Sequence, residues 1–115
     1  MIKATASLYI LIFNKHSMMH DVVSLKEESL VVPTIEISVD KSLDDTLSNL
    51  FESVVDLSRT YARYKLCDAS VINDTLSLAY FCVLPFGTRI KNAFLLPSKN
   101  YENYSPNLQK IIKLF

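Results

Sequence analysis

Apolar and polar positions alternate and then merge at the start of the chain. From Ala4 to Phe13 the sequence reads ATASLYILIF, with Thr5, Ser7 and Tyr9 alternating with Ala6, Leu8 and Ile10. This predicts a strand apolar enough to lie centrally in a sheet. Asn14–Ser17 has turn chemistry, and Met18–Leu25 returns as a second strand to complete a hairpin. Lys26–Ser29 reads as a charged loop, and Leu30–Val32 as a short strand stopped by Pro33. Glu36–Val39 alternates again, which would put Ile35, Ile37 and Val39 on one face.

The period then changes. Leu43, Leu47, Leu50, Val54 and Leu57 recur at helical spacing, widened by Phe51 and Val55. Ser42 is a predicted N-cap, with Asp45 placed to complete a capping box and Asp44 and Asp45 at the positive end of the helix dipole. The stripe predicts a helix from Ser42 to about Val55–Leu57. Tyr61–Val71 and Thr75–Leu84 form a second predicted hairpin around Asn73-Asp74. Its return strand, LSLAYFCVLP, is continuously apolar and reads as buried on both faces. A loop over Pro85–Asn92, a short strand over Ala93–Leu96 and a polar, aromatic loop over Ser98–Tyr104 follow. Ser105 caps a final helix with Pro106 at its first position, where a missing N–H costs nothing, and Leu108, Ile111, Ile112 and Phe115 supply its apolar face. The order predicts one α+β domain over residues 1–115, an α/β/α sandwich with a mixed sheet between two helices.

Composition removes some chemistries. A single glycine, Gly87, excludes a glycine-rich phosphate cradle. The N-terminal apolar run is too short to cross a bilayer, which needs about 20 residues. It reads as a first strand rather than a signal peptide, and a cytoplasmic protein without a membrane association is expected. Cys67 and Cys82 fall in strands, with no metal-ligand spacing. The turn register would set Cys67 opposite Tyr80 and Cys82 opposite Lys65, as buried reduced thiols. Net charge is zero but divides: residues 1–57 carry four lysines against nine acids, −5, and residues 58–115 carry the opposite, +5. No basic cluster is dense enough to argue for nucleic acid by itself.

The element order, and the stretch LVVPTIEISVDKSLDDTLSNLFESVVDL from Leu30 to Leu57, resemble the Nudix hydrolases. LSLAYFCVLP is similar to that family's central strand, and AFLLPSKNYENYSPNLQKIIKLF to its closing strand, loop and helix. The resemblance implies the Nudix fold over almost the whole chain. It also implies a catalytic box: glycine, five residues, glutamate, seven residues, then arginine, glutamate, an apolar residue, any residue, two glutamates, any residue and glycine. Aligned on Pro33, Ile35 stands at the first glycine, Lys41 at the first glutamate and Asn49 at the arginine. Leu50, Ser53 and Val54 stand at the helical glutamates and Asp56 at the last glycine, while Phe51 and Leu57 keep apolar positions. Such a site needs clustered carboxylates to hold hard divalent cations, which leucine and valine cannot supply. A shift by one residue brings Glu52 onto a glutamate position but sets Asp56 where an apolar side chain belongs.

The expectation is a non-catalytic Nudix-like module that binds another protein, as a small subunit or accessory factor of a larger assembly. Small size and divergence also fit a viral or phage accessory protein. Phe86, Arg89, Lys91, Lys99, Tyr101 and Tyr104 are the expected contact residues, because aromatics and arginine are enriched at interfaces. The loops Pro85–Asn92 and Ser98–Tyr104, or the exposed edge near Met18–Leu25, are the expected contact surfaces. The alternative is a divergent hydrolase or binder of nucleoside-diphosphate compounds, with magnesium on Glu36, Asp40 and Glu52. Those acids otherwise read as a solvated face. His16 and His20 fall in a turn and a strand and lack the partners a zinc site needs.

Overall fold

The computed structural model describes residues 3–56 and 63–114. The strands are β1 (Lys3–Asn14), β2 (Met19–Ser24), β3 (Thr34–Glu36), β4 (Lys65–Ile72), β5 (Thr75–Leu84) and β6 (Phe94–Pro97), and the helices are α1 (Leu43–Glu52) and α2 (Pro106–Ile112). A 3-10 turn at Ser98–Asn100 links β6 to α2. The sheet runs β4-β5-β1-β2-β6, with the short β3 paired to the first half of β1. β1 and β5 are parallel and every other pair is antiparallel. The sheet is therefore mixed, with a helix on each face, as the period changes predict.

β1 is the spine, and its alternation sorts the core into two layers. Leu8, Ile10 and Ile12 point to one face, where Leu50, Phe51, Val54 and Val55 pack with Cys82 and Leu84. Tyr9 and Leu11 point to the other, against Leu108 and Ile111 of α2 with Ala79, Phe81 and Leu96. The Ser42 hydroxyl accepts the Asp45 N–H at 3.1 Å, and the Ser105 hydroxyl accepts the Leu108 N–H at 3.3 Å. Both N-caps fall where the sequence predicts them.

Four expectations are corrected. Leu30–Val32 is not a strand: the Val31 N–H that a ladder would use goes to the buried Ser24 hydroxyl at 2.9 Å, and hydrogen bonding to β1 begins only at the Pro33 carbonyl, which accepts the Leu8 N–H at 2.9 Å. Val39 leaves the predicted apolar face and is fully exposed, because the chain turns at Ser38, whose hydroxyl accepts the Asp40 N–H. α1 stops at Glu52 instead of running to Val55–Leu57. Val55 forms a β-bridge to Ile90, with the Lys91 N–H on the Val54 carbonyl at 2.8 Å and the Asp56 N–H on the Arg89 carbonyl at 2.9 Å. β2 is not an open edge, because β6 returns from far along the chain to pair with it, Val22 opposite Leu96. Tyr61, the expected start of the hairpin, and Leu57 and Phe115 lie outside the described residues.

The hairpin turn itself is as expected. Asn73 and Asp74 both have positive φ, which a two-residue hairpin turn of the mirror-image type requires. The register slips once, between Leu66 and Asp68, so Leu66 rather than Cys67 faces Tyr80, and Phe81 rather than Cys82 faces Lys65. Cys67 is the extra residue of the bulge. Its thiol points to the Asn107 carbonyl at 3.6 Å, and both cysteines are free thiols.

Candidate functional site

A cleft of about 540 Å³ opens on the α2 side of the sheet. Ser7 and Tyr9 of β1 form its floor. One wall is the loop before β3 with the first residue of that strand, Glu28, Ser29, Leu30, Val32 and Thr34; the other is the segment before α2, with Tyr101, Tyr104 and Ser105. Thr34 donates its hydroxyl to the Val32 carbonyl at 3.0 Å, so Ser7 is the donor in the 2.9 Å Ser7–Thr34 bond. The Asn107 side-chain amide donates to the Tyr9 hydroxyl at 3.5 Å. Floor and walls are therefore stitched together by side chains far apart in sequence.

Ser24 shapes the acidic wall. It is fully buried at the end of β2, and its hydroxyl donates to the Lys26 carbonyl at 2.7 Å. The same oxygen accepts the N–H groups of Lys26 and Val31, and the Ser29 carbonyl lies 2.9 Å away. A polar atom so deeply buried is tolerated because its bonding capacity is filled. Its effect is to fold Lys26–Val31 back against the cleft.

The six expected contact residues fall in two places. Tyr101 is half-buried against the α2-side core and Tyr104 is 85% exposed, and both line the cleft. Lys99 is exposed in the 3-10 turn just before them. Phe86, Arg89 and Lys91 lie instead in the loop after β5, where Ile90 packs on the α1-side core. There Lys15 sits 4.8 Å from the centre of the Phe86 ring and His16 meets the same ring edge-on. Of these, Phe86 and His16 border a smaller hollow of about 210 Å³ with Asn14, Asp21 and Gly87. Asn14 holds the turn by accepting the His16 N–H at 2.9 Å and donates its amide to Asp21 at 3.2 Å. His20 packs edge-on to Phe13, and its pKa is lowered, chiefly by burial and against the opposing pull of Asp21.

Glu36, Asp40 and Glu52 are not brought together. Glu36 ends β3, Asp40 lies in the turn before α1 and Glu52 closes α1. A ten-residue helix, about 15 Å long, stands between the last two. Among the described residues no three acidic, histidine or cysteine side chains gather as a metal-binding group. Leu50 and Val54 are buried in the core, and Ser53 donates its hydroxyl to the Leu50 carbonyl at 2.6 Å. The outward positions of this helix end are Asn49, Glu52 and Ser53.

Tyr101 and Tyr104 are legible in the sequence as contact residues; the rest of the cleft is not. One signal was present: Thr5, Ser7 and Tyr9 put polar groups on one face of a strand otherwise apolar enough to be central. The loop contribution, Glu28 above all, has no local signature, because Ser24 sets it through a buried hydroxyl.

No family model matches the sequence, and no curated protein matches it. Solved structures do. A mutT/nudix family protein from Listeria innocua superposes with a TM-score of 0.67 at 11% identity, covering 97% of this chain and 92% of that one. The C-terminal domain of mouse MUTYH, solved in complex with human PCNA, gives 0.66 at 13% identity, covering 98% and 86%. A MutT/nudix family protein from Enterococcus faecalis gives 0.60 at 11% identity over 83% of this chain, which spans only 43% of that protein's length. The chain thus has a Nudix-like α+β fold. No helix among the described residues is long and apolar enough to cross a membrane.

Proposed function

We propose that this protein is a non-catalytic Nudix-like module that binds another protein, as a small subunit or accessory factor of a larger assembly. The observation that carries this is the separation of its acids: Glu36, Asp40 and Glu52 stand apart along β3 and α1, and no carboxylate cluster forms among the described residues. Hydrolysis of a diphosphate through bound cations needs such a cluster. In its place the molecule offers a cleft lined by Tyr9, Tyr101 and Tyr104, residues of a type enriched at protein interfaces. A related fold in mouse MUTYH was solved with a protein partner, human PCNA, which supports this use.

A second reading is a divergent magnesium-dependent hydrolase or binder of nucleoside-diphosphate-linked compounds, and burial speaks for it in one respect. Leu50 lies in the core, so it suits the apolar position of the Nudix box better than a ligand position. The one-residue shift then places Asp40 and Glu52 at glutamate positions, with Asn49 and Ser53 at the others. The ten residues of α1 stand between these two carboxylates, so they do not share one ion, and the shift does not overturn the first reading. Nucleic acid is not favoured. Arg89 and Lys91 border the α1-side core while Lys110 on α2 is paired with Asp68 at 3.0 Å, so the basic half makes no single stripe.

The test has two arms. Purified protein is incubated with nucleoside-diphosphate-linked compounds and Mg²⁺ or Mn²⁺, and phosphate products are followed; none is expected. Metal-dependent turnover that disappears in Glu52→Gln would install the hydrolase reading. In the second arm Tyr101→Ala and Arg89→Ala are compared with wild type in partner capture, and loss with Tyr101→Ala is expected. Capture unchanged in both variants would sink the proposed surfaces.

A further inference from the structure

The charge balance of the cleft says what kind of group it receives. Ten described residues line it, and Glu28 alone among them carries a formal charge at neutral pH. The cations nearest in sequence, Lys26 and Lys99, are not among the lining residues. The rest are three tyrosines, the small hydroxyl residues Ser7, Ser29 and Thr34 on β1 and the Glu28 wall, and the aliphatic Leu30 and Val32, with Ser105 on the other wall capping α2. A phosphate-bearing ligand would meet a carboxylate and no compensating cation. A cation would meet aromatic faces, whose quadrupoles attract it, and a carboxylate to pair with.

We propose that this cleft receives an arginine side chain presented by the partner protein, the guanidinium stacking on Tyr104 and pairing with Glu28. Arginine is preferred over lysine because its planar, weakly hydrated head stacks on aromatic rings and binds a carboxylate through two parallel N–H groups. The aliphatic stem lies along Leu30 and Val32. Tyr104 is the ring available for stacking, since 85% of it is exposed, while Tyr9 is buried and Tyr101 half-buried. Ser24 keeps Glu28 in place by pinning the loop on both sides of it, at Lys26 and at Ser29–Val31. The cleft volume of about 540 Å³ exceeds what one side chain fills, so residues flanking the arginine enter with it. This inference rests on the protein-binding reading and names the chemistry of the partner.

The experiment is an NMR titration of the full chain with an acetylated, amidated Gly-Arg-Gly peptide. An otherwise identical citrulline peptide, which keeps the shape and removes the charge, and ADP serve as comparison probes. The arginine peptide should move the ring signals of Tyr101 and Tyr104. Glu28→Gln, Tyr104→Ala and the citrulline exchange should each weaken binding about tenfold, the loss of one charge-assisted contact. Both variants change exposed side chains, so the amide spectrum reports an intact fold independently of binding. Equal response to the citrulline peptide, a response unchanged in both variants, tighter binding of ADP at the same rings, or no movement at either ring up to the solubility limit would each overturn the proposal. If the arginine peptide fails while Tyr101→Ala still loses the captured partner, the protein-binding reading stands without this inference; if both fail, the two fall together.

Discussion

The two faces of the sheet are covered differently. On one face α1, with ten residues, and the Val54–Val55 segment seal Leu8, Ile10 and Ile12 from solvent. On the other, α2 has seven residues, about 10 Å of helix, and covers Leu11 and Phe81 but not the Ser7 end of β1. The gap is the cleft. α1 buries Thr46, Leu47, Leu50 and Phe51 as a packing element, and the larger cleft lies on the opposite face. A sheet can thus be sealed by its longer helix on one side and still present a concave, polar-edged surface on the side that the shorter helix leaves uncovered.

The sharpest way to break this comparison is to truncate one aliphatic side chain on each side. Leu8 is fully buried beneath α1, so Leu8→Ala should cost about 2–5 kcal/mol in urea unfolding, the range for a core leucine. Val32→Ala, on the half-buried wall of the cleft, should cost about 1 kcal/mol or less, because solvent already reaches that side chain. Equal losses would mean that the cleft is as tightly packed as the sealed face.

Ser24→Ala comes next. Deleting a buried hydroxyl that serves several backbone groups should cost about 1–3 kcal/mol. The amides of Lys26 and Val31 should then exchange faster with solvent while those of α1 keep their protection. Unchanged exchange at Val31 would show that the wall holds without Ser24.

The two cysteines give the smallest and most local contrast. Burial pushes the Cys82 thiol up to about 12, while Cys67, half-exposed at the bulge, is also raised by burial, with Lys110 pulling the other way. Native protein should therefore release one thiol to a disulfide reagent at neutral pH, and denatured protein both. The linkage sign is clear for Cys82. Below its ordinary value of 9.0 the thiol is neutral in both states and affects nothing. Between about 9 and 12 the unfolded chain ionises and the native one does not, so stability falls as pH rises through that window. A Cys82→Ala variant should show a shallower fall, and an identical slope would place the loss elsewhere.

Local chemistry alone determined much of this protein. The Ser42 and Ser105 caps, Pro106 at a helix start, the Asn73-Asp74 turn and the alternation of β1 each depend on a few neighbouring residues, so they are readable in order along the chain. From them follow two helices, a long central strand, a second hairpin and the α+β class. What only the tertiary structure decided is everything set by partners far away in sequence. β6 turned β2 from an edge into an interior strand, the Ile90 bridge ended α1 early, a bulge moved Cys67 out of register, and Ser24 diverted Leu30–Val32 from the sheet into a wall of the cleft. Each of those outcomes depends on a hydrogen bond or a contact between segments whose separation in the chain carries no periodic signal. For the same reason the cleft, built from β1, the loop before β3 and the segment before α2, was legible only in its tyrosines.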